Sequence, residues 1–136
     1  DGREFLATVL SLGNPHCVIF FDDLKGVSCE TLGPLLCGHE LFIERANIGF
    51  AVAHSPERLE LKVWERGAGL TMACGSGACA AVVAGAKTGK TSRRVSVELP
   101  GGKLEVFWNA DSNHIFLSGP AREICRVSLI GEAVCG

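Results

Sequence analysis

At 136 residues, 47% of them hydrophobic and 21% charged, the chain is long enough to bury a core and too apolar for disorder. A formal net charge of -2 leaves no basic footprint for nucleic acid or an anionic membrane surface, so a small-molecule partner is the expectation. Seven cysteines without a C-x-x-C pair, and no charged-then-apolar leader, point to a reducing cytoplasm; the start at Asp1 reads as a cut within a longer protein.

Residues 4–11 (EFLATVLS) and 16–21 (HCVIFF) are β-rich runs separated by the turn Leu12-Gly13-Asn14-Pro15, which puts His16 at a turn-to-strand junction, a better place for function than mid-strand. Val18, Phe20 and Phe21 read as core. Residues 28–36 (SCETLGPLL) suggest a short helix with Ser28 as N-cap, bent or ended at Gly33-Pro34. Cys37 and His39 flank Gly38, but no second ligand pair follows at a regular distance, so no metal is expected. Residues 47–53 (NIGFAVA) read as a strand entered through Asn47. In residues 58–64 (RLELKVW), Leu59, Leu61 and Val63 alternate with Arg58, Glu60 and Lys62, the pattern of a half-buried strand that delivers Glu65-Arg66 at its end.

Residues 73–86 carry no charge and consist mostly of Ala, Val, Cys and Gly, so they form a helix apolar on every side, and such a helix is buried. Lys87 and Gly89 close it. At its start, Cys74-Gly75-Ser76-Gly77 sets a thiol among the free N–H groups of the first turn, an anion-binding arrangement whose field also favours a thiolate. The bland alternative is a core-filling cysteine, one of seven. Flanking glycines, which allow close approach of a ligand, and the Arg66 fork, which matches a carboxylate, favour chemistry. Residues 94–99 and 103–108 form a hairpin around Pro100-Gly101-Gly102, and residues 113–117 and 121–129 complete a set of seven or eight strands. The expected fold class is α+β: residues 1–136 as one domain, a curled, barrel-like and mostly antiparallel sheet wrapped around one long central apolar helix.

Gly13-Asn14-Pro15-His16-Cys17, Asn47-Ile48-Gly49-Phe50, Glu65-Arg66-Gly67-Ala68-Gly69, Ala73-Cys74-Gly75-Ser76-Gly77, Leu99-Pro100-Gly101-Gly102 and Leu117-Ser118-Gly119-Pro120-Ala121, in this order, resemble the C-terminal half of the diaminopimelate epimerases. The resemblance implies an isomerase without cofactor that converts LL- to meso-diaminopimelate for lysine and cell-wall precursor synthesis. It implies two similar domains with the site in the cleft between them, and one cysteine from each domain on opposite faces of the substrate α-carbon. Cys74 matches the cysteine of this domain. Glu65 matches the carboxylate that assists it, and His16 the histidine that assists the other domain's cysteine. Asn14, Asn47, Glu65 and Arg66 match substrate-binding positions, with Gly75 and Ser76 offering backbone N–H groups to the α-carboxylate. The N-terminal domain of the same enzyme is then the natural partner, and a homodimer is a further one. The sequence departs from the family pattern at Leu70, where Glu is common, and at Ser76, where Thr is usual.

Two other readings stand beside this one. A related cofactor-free amino-acid racemase or isomerase of the same fold would carry different motifs around the thiol, and a non-catalytic domain would bind carboxylates or a protein partner without turnover.

Overall fold

The computed structural model describes residues 2–128. Ten elements follow along the chain: β1 (Ala7–Ser11), β2 (Pro15–Phe20), α1 (Cys29–Cys37), β3 (Asn47–Ser55), β4 (Arg58–Glu65), β5 (Gly69–Thr71), α2 (Gly75–Lys87), β6 (Arg94–Leu99), β7 (Gly102–Trp108) and β8 (Ile115–Ser118). The strands build one sheet in the order β1-β2-β3-β4-β6-β7-β8, with β5 paired to β4. The β2–β3 and β4–β6 pairings are parallel, and the remaining pairings are antiparallel. The sheet is therefore mixed with an antiparallel majority, and it curls so that α2 touches every strand except β5.

Two cores lie on the two faces of the sheet. On the α2 side, Ala78, Ala80, Ala81, Val82 and Ala84 of the helix meet Val18, Ala51, Leu59, Leu61, Val63, Val95, Val97 and Val106. On the other side, Cys29, Leu32 and Cys37 of α1 cover Cys17, Ile19, Ile48, Phe50 and Val52. Strand β3 serves both layers at once, its small Ala51 toward α2 and its large Ile48, Phe50 and Val52 toward α1. This double burial explains why β2 and β3 read as unbroken apolar runs, whereas β4 alternates. Small Ala side chains let α2 lie close to the strands, at the cost of few contacts per residue, and the helix offsets this by using its whole circumference.

Several expectations need correction. The two helices suggested by the sequence form, with 9 and 13 residues, but the fold is not organised around one long central helix alone, because the central strands bury their second face under α1. Helix α1 continues through Pro34 to Cys37 instead of ending at Gly33-Pro34. Gly33 lies against Trp64, where an added Cβ would come within 2.5 Å of the ring, so the glycine answers a packing need and burial of α1 outweighs the bond lost at the proline. Ser28 does occupy the N-cap, but its hydroxyl donates to Thr31 Oγ1 at 2.9 Å and makes no cap bond to the backbone. The Gly-rich stretch after Glu65 contains the three-residue strand β5, too short to show a period. The strand expected over residues 121–129 is absent through residue 128: β8 ends at Ser118, and Ile124 and Val127 are exposed. Leu129 lies outside the described residues. Among the described residues, no helix is long and apolar enough to cross a membrane.

Candidate active site

The residues singled out by sequence converge at one end of the sheet. Parallel pairing sets His16, near the start of β2, opposite Asn47, the first residue of β3. Antiparallel pairing sets Ile48 opposite Trp64, so Asn47 comes alongside the end of β4, and its Oδ1 accepts from the Arg66 backbone N–H at 3.0 Å. Helix α2 begins at the same edge, with Cys74 as its N-cap.

A chain of polar contacts ties these elements together. His16 is buried, and its Nε2 lies 3.1 Å from Asn14 Oδ1. An amide oxygen only accepts, so the ring donates from Nε2. The Asn14 amide nitrogen donates to Ser76 Oγ at 3.5 Å, and Ser76 Oγ lies 3.7 Å from Cys74 Sγ. Cys74 Sγ accepts from the Gly77 N–H at 3.4 Å. Gly75 and Ser76, the first two residues of α2, present N–H groups that have no acceptor within the helix. A Cβ at Gly75 would meet the tip of Leu117 of β8 at 2.9 Å, so a side chain there would displace that half-exposed leucine.

The electrostatics correct one expectation. Burial pushes the Cys74 thiol above its ordinary range, the Gly77 N–H and the Ser76 hydroxyl pull it back, and the charge and acceptor oxygen of Glu65 push it up again. The helix start does favour the thiolate as expected, but loss of water outweighs it, so the resting group is a neutral thiol. Burial likewise lowers the His16 pKa; Glu65 opposes the shift and Arg66 adds to it. Cys17, adjacent to His16 but facing the α1 layer, is driven by burial to about 11.

Arg66 is exposed, and its guanidinium donates to the Glu44 carbonyl at 3.1 Å. Together with Arg45, Trp64, Glu65 and Gly67 it lines a cavity of about 410 Å³ on the α1 side. Cys74, Ser76 and Asn14 do not line this cavity; they lie on the α2 side of the same strand ends. All eight sequence-predicted residues thus share one edge of the sheet, and two further groups join them. Gly77 supplies the N–H to the thiol, and Thr71 Oγ1 donates to Glu65 Oε1 at 2.7 Å. Gly77 stood within a recognised motif, whereas Thr71 carried no signal until β5 placed it beside Glu65. Among the described residues, no cluster of three or more His, Cys, Asp or Glu side chains could hold a metal. The arrangement as it stands is that of an acid–base site for an anionic substrate: a thiol, a carboxylate beside it, and oriented N–H donors.

Comparison with known proteins identifies a family. Residues 8–124 match the family model described as diaminopimelate epimerase. The diaminopimelate epimerase of Gloeothece citriformis is 48% identical over 123 residues, 90% of this chain and 44% of that protein. Those of Desulfitobacterium hafniense and Pelotomaculum thermopropionicum are 46% and 50% identical, over 98% and 90% of the chain and 47% and 44% of their own lengths. The chain therefore spans less than half the length of these relatives. Among solved structures, a phenazine biosynthesis protein of the PhzF family from Bacillus anthracis superposes with a TM-score of 0.57 at 14% identity, over 83% of this chain and 38% of that one. A putative phenazine biosynthesis protein from Clostridium difficile gives 0.53 at 18% identity, over 79% and 40%. At such identities these two likenesses show the fold alone.

Proposed function

Because the chain belongs to the diaminopimelate epimerase family, we propose that it supplies one half of a cofactor-independent epimerase site acting on LL-diaminopimelate in the cytoplasm. It corresponds to the C-terminal domain, and the remainder of the relatives' length is the partner domain that brings the second thiol. The observation that carries this reading is Cys74 at the start of α2, with Glu65 beside it and the N–H groups of Gly75 and Ser76 directed outward.

In the proposed reaction, the substrate α-carboxylate sits on the two N–H groups, while Asn14, Asn47 and Arg66 hold the rest of the molecule. Glu65 accepts the Cys74 proton as substrate enters, and the sulfur then removes the α-hydrogen. The C–H bond breaks, an S–H bond forms, and the electron pair left on the α-carbon spreads into the carboxylate. A thiol of the partner domain, on the opposite face, gives its proton to that carbon and is left as thiolate. One proton is taken and one returned, so the configuration inverts and no group changes oxidation state. His16, buried in this chain beside Asn14, is the group assigned to assist the partner thiol. The buried thiol holds its proton in the resting chain and ionises by passing that proton to Glu65.

The test is α-proton exchange of LL-diaminopimelate in D₂O, followed by NMR. The 136-residue chain alone is expected to bind the substrate without inverting it, because inversion requires acid and base on opposite faces. A polypeptide of the relatives' length that carries this domain is expected to exchange with inversion. Failure of that longer polypeptide would overturn the function. Inversion by the isolated chain at about 1 s⁻¹ or faster, within the range of ordinary enzymes, would overturn the half-site.

A further inference from the structure

The proposed reaction assigns nothing to strand β5, yet β5 contributes the shortest hydrogen bond of the site. We propose that Thr71 is a positioning residue: its hydroxyl, donating to Glu65 Oε1 at 2.7 Å, holds that carboxylate beside Cys74 and leaves Oε2 as the oxygen that meets the thiol.

The geometry follows from the β4–β5 hairpin. The register pairs Glu65 with Gly69 and Val63 with Thr71. The residue directly opposite Glu65 therefore has no side chain, and its φ of +77° suits the turn. Thr71, two positions along and on the same face, is the diagonal neighbour, within reach of a long side chain. The neighbouring Arg66 directs its side-chain hydrogen bond to the Glu44 carbonyl and not to Glu65. A carboxylate at a strand end has several rotamers open to it, and a β-branched donor restricted at χ1 removes that freedom. The hydroxyl of Thr71 bonds to Glu65 and not to the thiol, so its effect passes through Glu65.

The inference rests on Cys74 as the proton-transfer thiol, and its test reads the thiol itself, not turnover. The ionisation of Cys74 is followed by ¹³C NMR in the 136-residue chain labelled at cysteine Cβ, with Cys74→Ser to assign the signal. Glu65 is the charged group that acts on this thiol, and it pushes the titration up. Releasing Glu65 by Thr71→Val is expected to lower the midpoint by the same amount as Glu65→Gln. The double variant is expected to show no further shift, because both changes remove one interaction. Thr71→Ser, which keeps the hydroxyl, is expected to titrate as wild type. A role in folding alone would instead lower stability and leave the thiol midpoint in place. The inference is overturned if Thr71→Val titrates as wild type, if its shift adds to that of Glu65→Gln, or if Glu65→Gln leaves the thiol unmoved. Loss of substrate exchange in the longer polypeptide with this thiol coupling intact would overturn the epimerase reading alone.

Discussion

Gly77→Ala separates two forces that act in opposite directions at the start of α2. Gly77 is the third residue of the helix and fully enclosed, and there an alanine gains about 0.8–1 kcal/mol of helix propensity. An added Cβ, however, would lie 2.9 Å from Val63 Cγ2 and 3.1 Å from Cys74 Sγ. Carbon pairs are at their best near 3.5–4.0 Å, so the neighbours must retreat by roughly half an ångström or more in a place where Val63 is 1% exposed. Overpacking of this kind costs about 1–3 kcal/mol. The expected net is a destabilisation of about 1 kcal/mol by urea unfolding. Val63 belongs to the rigid β4 ladder, so the sulfur is the partner that yields, away from the Gly77 N–H that favours its ionised form. The thiol should therefore titrate higher than in wild type, measured by thiolate absorbance. Adding Val63→Ala opens space for the new methyl, and the pair should couple favourably by about 1 kcal/mol. A Gly77→Ala variant that is about 1 kcal/mol more stable, with an unchanged thiol titration, would refute the packing argument.

Two further outcomes follow from burial. Cys125 is exposed while Cys74 is buried with its thiol held neutral, so a short iodoacetamide pulse near neutral pH should modify Cys125 before Cys74; preferential labelling of Cys74 over Cys125 would show that the helix start outweighs desolvation. The His16 pKa is lowered from 6.5 on folding, so the unfolded chain binds more protons at and below that pH, and stability should rise as pH increases from about 5 to 7. In His16→Gln that portion of the slope should vanish, and parallel urea profiles for the two proteins would contradict the assignment.

Much of the site was readable along the chain, because its parts are local signals: a thiol among glycines before an uncharged helix, a charged pair ending an alternating strand, a histidine after a turn. Strand periodicity did the same for β4 and β6, since alternation in sequence is alternation in space. What the chain could not reveal depended on neighbours distant in sequence. The run through Gly33-Pro34 reads as a helix end, and only Trp64 packing on Gly33 explains why the helix persists. Residues 121–128 have strand composition but no strand beside them, and a β-strand exists only with its partner. Thr71 became part of the site through a diagonal across a three-residue ladder. The charge state of Cys74 was decided in the same way: the favourable helix start is written in the sequence, but the desolvation that opposes it is set by how completely the sheet closes around that end of α2, a property of the assembled fold.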